Sequence, residues 1–511
     1  MKSRMVRARK KELLPLFTFH IIAHDMLNTD LISLICEELE PGTSRASHHM
    51  LRTRDDINCR KGLLSLALTS KAFLEPALNV LWRQITSVEP LLSVLPDTMI
   101  LNGKKMIVEQ IAPSSWDRLH YYARKVREFE QQDPSNVHES VYAILGQSKP
   151  IFPNLVELRA GLQISTNSLI FFLTSSISNV SIPWLTRMPS NDLDLGPSLA
   201  LLASKNPGLK FLSISSAAVS GISSSLRCFR NLRTLVLGRL PQYEPDYVQI
   251  LASLDDLTSL TLTLPRDDIL EYGSIQNGFP SLERLSIVGF TSNLRKFLKV
   301  VSPSILQDLS LEWVESPVLV ADAFSVTNTL RRFPSLQKLK IERATSLFAD
   351  DLDRSDYWAL FTPLLQLNQL QSLTYSSPLI LTDELTARIA SSWPHIVSLY
   401  FNAVVWLEVP PVSSLAHFVR GCRNLRYLRY PIQVDVPTGT APPEPTLFMH
   451  PLWFFHCSKN DDVSDPPSLA LALHQLFPDL KSVTGDGDGW DEVEAILKSY
   501  HFILAQDRRF N

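Results

Sequence analysis

The chain has 511 residues, 49 lysines and arginines against 52 aspartates and glutamates, and a formal net charge of −3. Hydrophobic residues make up 45% and charged residues 20%, enough for a large core and unlike a chain disordered throughout. Glycine numbers 17, where the average usage of about 7% would give roughly twice as many. That scarcity disfavours folds that cradle phosphates on glycine turns, and near-neutral charge confines any nucleic-acid affinity to a local patch. Leucine accounts for about one residue in six, which points to a leucine-built scaffold of two or three domains or one elongated array.

Residues 1–12 form a basic tail with Lys2, Arg4, Arg7, Arg9, Lys10 and Lys11. The apolar run that follows is broken by Pro15 and His20 and trailed by Asp25 and Asp30. It therefore reads as a solvated lead-in to the first helix and not as a signal peptide. No apolar run reaches the ~18 residues of a membrane span. Cys36, Cys59, Cys228, Cys422 and Cys457 are odd in number and scattered, so no disulfide framework and a reducing, cytoplasmic or nuclear compartment are expected.

A helical module is expected over 13–100. Residues 27–39 read as its first helix, with Leu27, Leu31, Leu34, Ile35 and Leu39 on one side. A polar stretch, 40–59, reads as a loop. Residues 63–68 and 72–82 read as two further short helices. Over 101–150 a helical linker is expected, containing a helix at 114–129 capped by Ser114 with Asp117 three residues on.

From 151 to 485 the chain repeats itself. Segments with the pattern L-x-x-L-x-L start at Leu155, Leu209, Leu232, Leu257, Leu282, Leu306, Leu336, Leu370, Ile396, Leu425 and Leu480. Spacings from Leu209 to Leu306 are 23, 25, 25 and 24 residues, within the leucine-rich-repeat range. Degenerate units fit at Ile177, Val180 and Ile182 and at Leu452, Phe455 and Cys457. The L-x-L half has the period of a strand with one buried face, and helical stretches lie between at 245–253, 292–301, 318–332, 355–367, 383–392 and 413–421. One strand and one helix cannot close a core alone, so neighbours must stack. The fold class expected is α/β: a helical module, then a leucine-rich-repeat solenoid with parallel strands on the concave face and helices outside. A doubly wound sheet is the rival, but its strands are usually continuous apolar runs, whereas these alternate. A proline-rich insertion occupies 437–446, and 486–511 reads as a capping helix.

The helical module resembles an F-box domain of the kind common in mushroom-forming fungi. Leu27, Asp30, Leu31, Ile32, Ile35 and Leu39 fit the family's first helix, with Asn28 where proline is usual and Cys36 where an aromatic is common. Ala67, Lys71, Phe73, Ala77, Leu81, Trp82 and Arg83 fit its second half. What the resemblance implies is a substrate-recognition adaptor of a Skp–cullin–RING ubiquitin ligase. It would dock a Skp-type adaptor protein, and through it a cullin, by Leu27, Leu31, Ile32, Ile35, Leu39 and Leu64. The alternative is a leucine-rich-repeat scaffold for protein partners without any ligase. Either would be a monomer outside its complex, with no membrane or nucleic acid among its partners.

No G-x-G-x-x-G, Walker A, H-E-x-x-H or G-x-S-x-G motif occurs, so no enzyme and no cofactor are expected. The stretch Gly485-Asp-Gly-Asp-Gly-Trp-Asp-Glu lacks a calcium loop's oxygen ligand at Trp490 and its glycine at Asp491; it reads as a glycine turn with Asp491 capping the last helix. His450, His456 and Cys457 lie among Leu-Trp-Phe-Phe that reads as core, without a fourth zinc ligand, and His48 and His49 read as solvated. Lys338, Lys340 and Arg343 read as a solvated strand face. The functional leverage falls on residues between the strand leucines, which face away from the core. From these, Arg284, Asp308, Glu312, Lys338, Lys340, Tyr400, Tyr427 and Arg429 are the candidate substrate-binding set, Tyr and Arg being common hot-spot types.

Overall fold

The computed structural model describes residues 29–40, 54–96, 98–108, 110–131, 136–146, 150–160, 171–182, 196–215, 222–239, 243–266, 269–273, 275–314, 320–343, 354–377, 379–402, 408–434, 450–459 and 461–510. The basic tail, Leu27, most of the expected loop, the two histidines within it and the proline-rich insertion lie outside these residues. The chain divides into two compact units, Met1–Leu158 and Arg159–Asn511.

In the first unit three helices, Thr29–Glu38, Arg54–Thr69 and Lys71–Arg83, share one core. It is built from Ile32, Cys36, Leu63, Ala67, Phe73, Ala77 and Val80, with Ile35, Leu39, Leu66 and Leu81 packed against it. Ser70 starts the third helix by accepting from the Ala72 N–H at 3.3 Å, which satisfies one orphan donor. Arg83 reaches back to Glu40 at 3.3 Å and Glu37 at 3.9 Å, tying the end of the third helix to that of the first. Two expectations are corrected here. The polar loop ends before Arg54, because residues 54–59 already belong to the second helix. The first helix also does not bury one leucine face. Its inner stripe is Ile32, Ile35, Cys36 and Leu39, at i, i+3, i+4 and i+7, while Leu31 and Leu34 are 48% and 58% exposed.

Strand β1 (Gln84–Ile85) follows, then a hairpin of β2 (Thr98–Leu101) and β3 (Lys104–Ile107). Asn102 and Gly103 turn that hairpin with φ of 50° and 77°, the Asn-Gly signature of a tight turn. The expected helix over 114–129 is shorter. It runs Pro113–Ala123, with proline in its first turn and Ala112 rather than Ser114 at its cap; the fixed φ of proline suits a helix start. Phe129 lies instead in β4 (Glu128–Glu130), which pairs in parallel with β1. The expected helical linker therefore contains a hairpin, a strand and the helices Pro113–Ala123 and Glu139–Leu145. Strand β5 (Glu157–Arg159) closes this stretch.

The second unit is a ladder of parallel strands, each bonded to the next in sequence: β6 (Asn179–Ile182), β7 (Phe211–Ile214), β8 (Thr234–Leu237), β9 (Ser259–Thr263), β10 (Arg284–Gly289), β11 (Asp308–Trp313), β12 (Lys338–Arg343), β13 (Ser372–Tyr375), β14 (Ser398–Phe401), β15 (Tyr427–Arg429), β16 (Phe454–Cys457) and β17 (Ser482–Gly485). Both degenerate repeats are strands of this ladder, β6 and β16. Helices alternate with the strands, among them Thr291–Val300, Val320–Thr329, Arg354–Phe361, Asp383–Ser392 and Leu415–Gly421. This is an α/β solenoid.

Burial alternates along strands β6 to β11 and β13 to β16. In β11, for example, Leu309, Leu311 and Trp313 are buried while Asp308, Ser310 and Glu312 are not. The leading apolar residue of each repeat is buried too, and the Phe-Pro-Ser-Leu turns bury their aromatic: Phe279 and Phe333 are both fully enclosed. Neighbouring repeats are also clipped together by polar groups. Trp393 Nε1 donates to the Leu364 carbonyl at 3.3 Å, Asn293 Nδ2 to the Pro265 carbonyl at 3.0 Å, and the Tyr430 and Thr386 hydroxyls meet at 2.7 Å. Buried polar groups need such partners.

Candidate protein-interaction surfaces

Parallel register lines the outward-facing residues up in rows across the sheet. One row runs Arg284, Asp308, Lys338, Ser372, Ser398, Tyr427, Phe454 and Ser482. The next runs Ser286, Ser310, Lys340, Thr374, Tyr400, Arg429, His456 and Thr484. A third, shorter row brings Val288 beside Glu312 and Glu342. All eight candidate substrate-binding residues are therefore on one face, as the strand period demands. They fall into two groups.

The first group is charged and mixed in sign. Arg284, Asp308 and Lys338 alternate across β10, β11 and β12, and Lys340 pairs with Glu342 at 2.7 Å. Adjacent opposite charges offset one another at a distance, so this area presents local polarity and no basic field.

The second group, on β14–β17, is aromatic and basic. Tyr400 neighbours Arg429 in register. Tyr427 and Trp453 meet edge to face, with centroids 5.8 Å apart. The sequence reading placed Trp453 in the core; it is 52% exposed, because Leu452, Phe455 and Cys457 are the inward positions of this repeat and Trp453, Phe454 and His456 fall between them. Written as L-x-x-F-x-C, the same pattern that located the strand assigns these residues outward. Arg429 Nη2 lies 3.6 Å from Asp486 Oδ2, and His456 Nε2 lies 3.4 Å from Asp486 Oδ1. His456 Nδ1 meets Thr484 Oγ1 at 2.8 Å. Burial, then the nearby Arg429 charge, hold the His456 imidazole below its usual range, with Asp486 pulling the other way. Burial pushes the Tyr400 phenol up, opposed by its bond with Ser398.

Gly485 ends β17 and residues 486–489 turn the chain into the last helix, with Gly489 at φ 88°. Asp491 does not cap the last helix, which begins at Trp490 and carries Asp491 inside its first turn. His450 is buried, with Nε2 on the Cys422 carbonyl at 2.9 Å, so it faces the core while His456 faces outward. Among the described residues no group of histidines, cysteines and carboxylates is placed to hold a metal. One trio has nucleophile chemistry in its residue types: Asp383 Oδ1 accepts from Ser414 Oγ at 2.5 Å and from His417 Nε2 at 3.1 Å. A base must sit between nucleophile and carboxylate. Here the carboxylate sits between the other two, joining consecutive repeats.

The expected adaptor-binding residues do not share one environment. Leu31 and Leu64 are half exposed, Ile32 is buried, Ile35 and Leu39 pack against the core, and Leu27 lies outside the described residues. Leu34, Leu68 and Leu74, which were not assigned a docking role, are exposed at 58%, 79% and 39%. Leu64 and Leu68 lie one turn apart on the same helix, a spacing that places them on one side.

No family model matches the chain, and no curated protein matches it. Solved structures similar to it include a chain of the Drosophila Toll–Spätzle complex, 14% identical with a TM-score of 0.40, aligned over 68% of this chain and 46% of that one. Another is a leucine-rich-repeat protein of Leptospira interrogans, 10% identical with a TM-score of 0.40, aligned over 78% and 99%. The chain thus spans about half the length of the first of these.

Proposed function

We propose that the chain is a non-enzymatic protein-interaction scaffold whose outward sheet face takes an elongated protein partner. The alternating outward rows support this reading: a continuous face of polar, charged and aromatic side chains stands on a rigid ladder. Asp308 on β11 and Arg429 on β15 are four strand spacings apart, about 19 Å at ~4.8 Å each. A ligand touching both is an extended segment and not a small molecule. Its basic part meets Asp308 and Glu312, and its acidic part meets the aromatic–arginine end. Tyr427→Ala or Arg429→Ala is expected to weaken partner capture by about 1–3 kcal/mol. The thermal midpoint should stay nearly unchanged, because neither residue faces the core. Identical partners and yields from wild type and the double alanine variant would sink the reading.

We further propose that the first unit docks on a Skp-type adaptor, making the whole chain a substrate receptor of a Skp–cullin–RING ubiquitin ligase in the cytoplasm or nucleus. The observation that favours this over an unattached scaffold is the surplus of apolar surface on the three-helix core. Leu31, Leu34, Leu64 and Leu68 are exposed there, where surface leucines otherwise invite association. Copurification of the full chain with a Skp-type adaptor tests it. Leu31→Asp with Leu64→Asp should abolish copurification and leave far-ultraviolet circular dichroism unchanged. Failure of the wild type to copurify leaves the unattached scaffold as the surviving reading.

A further inference from the structure

We propose that Arg429 and His456, with the Tyr427 and Phe454 rings beside them, form a recognition site for an acidic, aromatic-containing stretch of a protein partner. Asp486 occupies that site in the free chain as a stand-in for the partner's carboxylate. The proposal rests on reading the outward sheet face as the binding surface and specifies the ligand chemistry of its C-terminal end.

Three rows build the site. At the strand entrances, exposed Arg426, Trp453 and Lys481 follow one another, linked by the Trp453 N–H donating to the Arg426 carbonyl at 2.9 Å and the Lys481 N–H to the Trp453 carbonyl at 3.0 Å. Tyr427 and Phe454 lie next, in register. Arg429 and His456 lie beyond them, again in register. Travelling along the strands, a ligand thus meets the Arg426 and Lys481 cations, then rings, then the Arg429 guanidinium with the neutral His456 imidazole beside it. The distance from Arg426 to Arg429 is three residues of strand, about 10 Å at ~3.3 Å each. An extended ligand places acidic residues that far apart with a ring between them.

Asp486 shows that the inner end accepts a carboxylate. Its two oxygens face Arg429 and His456 at 3.6 and 3.4 Å. Charge-assisted hydrogen bonds close to about 2.7–2.9 Å, so this carboxylate is held loosely. The backbone that presents it is fixed. A side chain at Gly485 would run into the Trp490 indole, and one at Gly487 into the Asp461 carbonyl. The Asp488 N–H donates to Asp462 Oδ1 at 2.8 Å, and the Val463 N–H to the Asp488 carbonyl at 2.9 Å. The Asp486 side chain is itself 45% exposed and can turn to solvent without moving that backbone. Its charge lowers the attraction of the site for any single acidic group. A partner with two acidic positions and a ring between them recovers the loss, which confers selectivity.

The test uses the full chain and a fluorescein-labelled synthetic peptide with two glutamates on each side of one phenylalanine, read by fluorescence anisotropy. Asp486→Asn should bind this peptide about three- to fivefold more tightly, the scale of one exposed ion pair, and Asp486→Ser should do the same. Arg429→Gln should weaken binding about tenfold in both the wild-type and the Asp486→Asn background. The all-glutamine peptide should show no gain with either Asp486 variant. Unchanged or weaker binding by the Asp486 variants would make Asp486 an orienting partner of Arg429 and overturn the proposal. Retention of peptide binding by Arg429→Gln would overturn it as well. Partner capture by the wild-type chain is scored separately, so losing this site leaves the scaffold reading standing, and losing capture does not.

Discussion

In the repeat array nearly every leucine is core; in the three-helix unit a leucine is core or surface according to its helical phase. Leu309, Leu311, Leu373 and Leu399 are all fully buried, whereas Leu63 is fully buried and Leu64, the next residue, is 50% exposed. A strand period of two with one covered face leaves no third option for an apolar side chain. A helix turns by 100° per residue, so a run such as Leu63, Leu64, Leu66 and Leu68 must place some of its members outside. The two periods therefore leave different side chains at the surface. The array's outward side chains are those that are not leucine, and the helical unit leaves leucines exposed.

The sharpest test of that contrast is stability. Trp393→Ala in the array should cost about 3–5 kcal/mol, since the ring is fully buried and its N–H serves the Leu364 carbonyl. Leu68→Ala in the helical unit should fall within about 0.5 kcal/mol of wild type. Chemical denaturation followed separately in each unit decides it, and comparable losses would break the comparison.

A second test divides two neighbours on one helix. Ile32→Ala should destabilise the helical unit by about 2–5 kcal/mol, because Ile32 is 3% exposed. Leu31→Ala should be nearly silent in stability and, under the proposed docking of the first unit, weaken adaptor capture. Equal stability losses would mean that Leu31 is covered.

How much was legible in the sequence follows the same division. Residues such as Val180 and Phe455 were assigned correctly from spacing alone, because a strand in register copies its neighbour's phase. On the first helix the apolar residues outnumber the core positions, so Leu31 and Leu34 were grouped with Ile35 and Leu39 although a different stripe is buried. Ser114 looked like a cap because its side chain suits one, yet Pro113 one residue earlier fixed the start. In the candidate site, Tyr400, Tyr427 and Arg429 were found by phase. Asp486 was not, because it approaches Arg429 from a turn after β17, and no local spacing links residues 57 apart in the chain. Trp453 and Phe454 escape for a different reason: a run of aromatics reads as core by composition, although the repeat unit at Leu452, Phe455 and Cys457 leaves both of them between its inward positions.

Acid should separate the regions by a smaller margin. Burial holds the His450 imidazole below its usual range, against the opposing pull of the Cys422 and Phe418 carbonyls. A histidine kept neutral in the folded chain binds a proton more readily once unfolded. Stability is therefore full above the unfolded value near 6.5 and falls as pH drops from there toward the lower folded value. His474, also depressed by burial and then by His501, adds to the same slope. All of these groups lie in the array, and the described part of the three-helix core contains no histidine. Unfolding free energies between about pH 7 and 5 should thus slope for the array and stay flat for the helices. His450→Gln should reduce the array's slope even if it lowers stability throughout.

The smallest expected effect lies on the outward face itself, at Lys340 and Glu342. Their ion pair, 2.7 Å long, joins side chains that are 47% and 37% exposed. Water screens such a pair, and holding two long side chains in one geometry costs entropy, so exposed pairs contribute about 0–1 kcal/mol. Lys340→Ala should accordingly change array stability by less than about 0.5 kcal/mol, far below the Trp393 effect on the same unit. Salt distinguishes this from a packing loss: raising ionic strength should shrink the already small difference between wild type and variant. A partner that uses this charged end of the sheet should nevertheless sense the change, because it meets an unpaired Glu342 where a neutralised one stood. Its capture should become more salt-dependent in the variant. A stability loss of 2 kcal/mol or more would mean that Lys340 packs its stem against the array, and that the outward face is less separable from the core than the strand period implies.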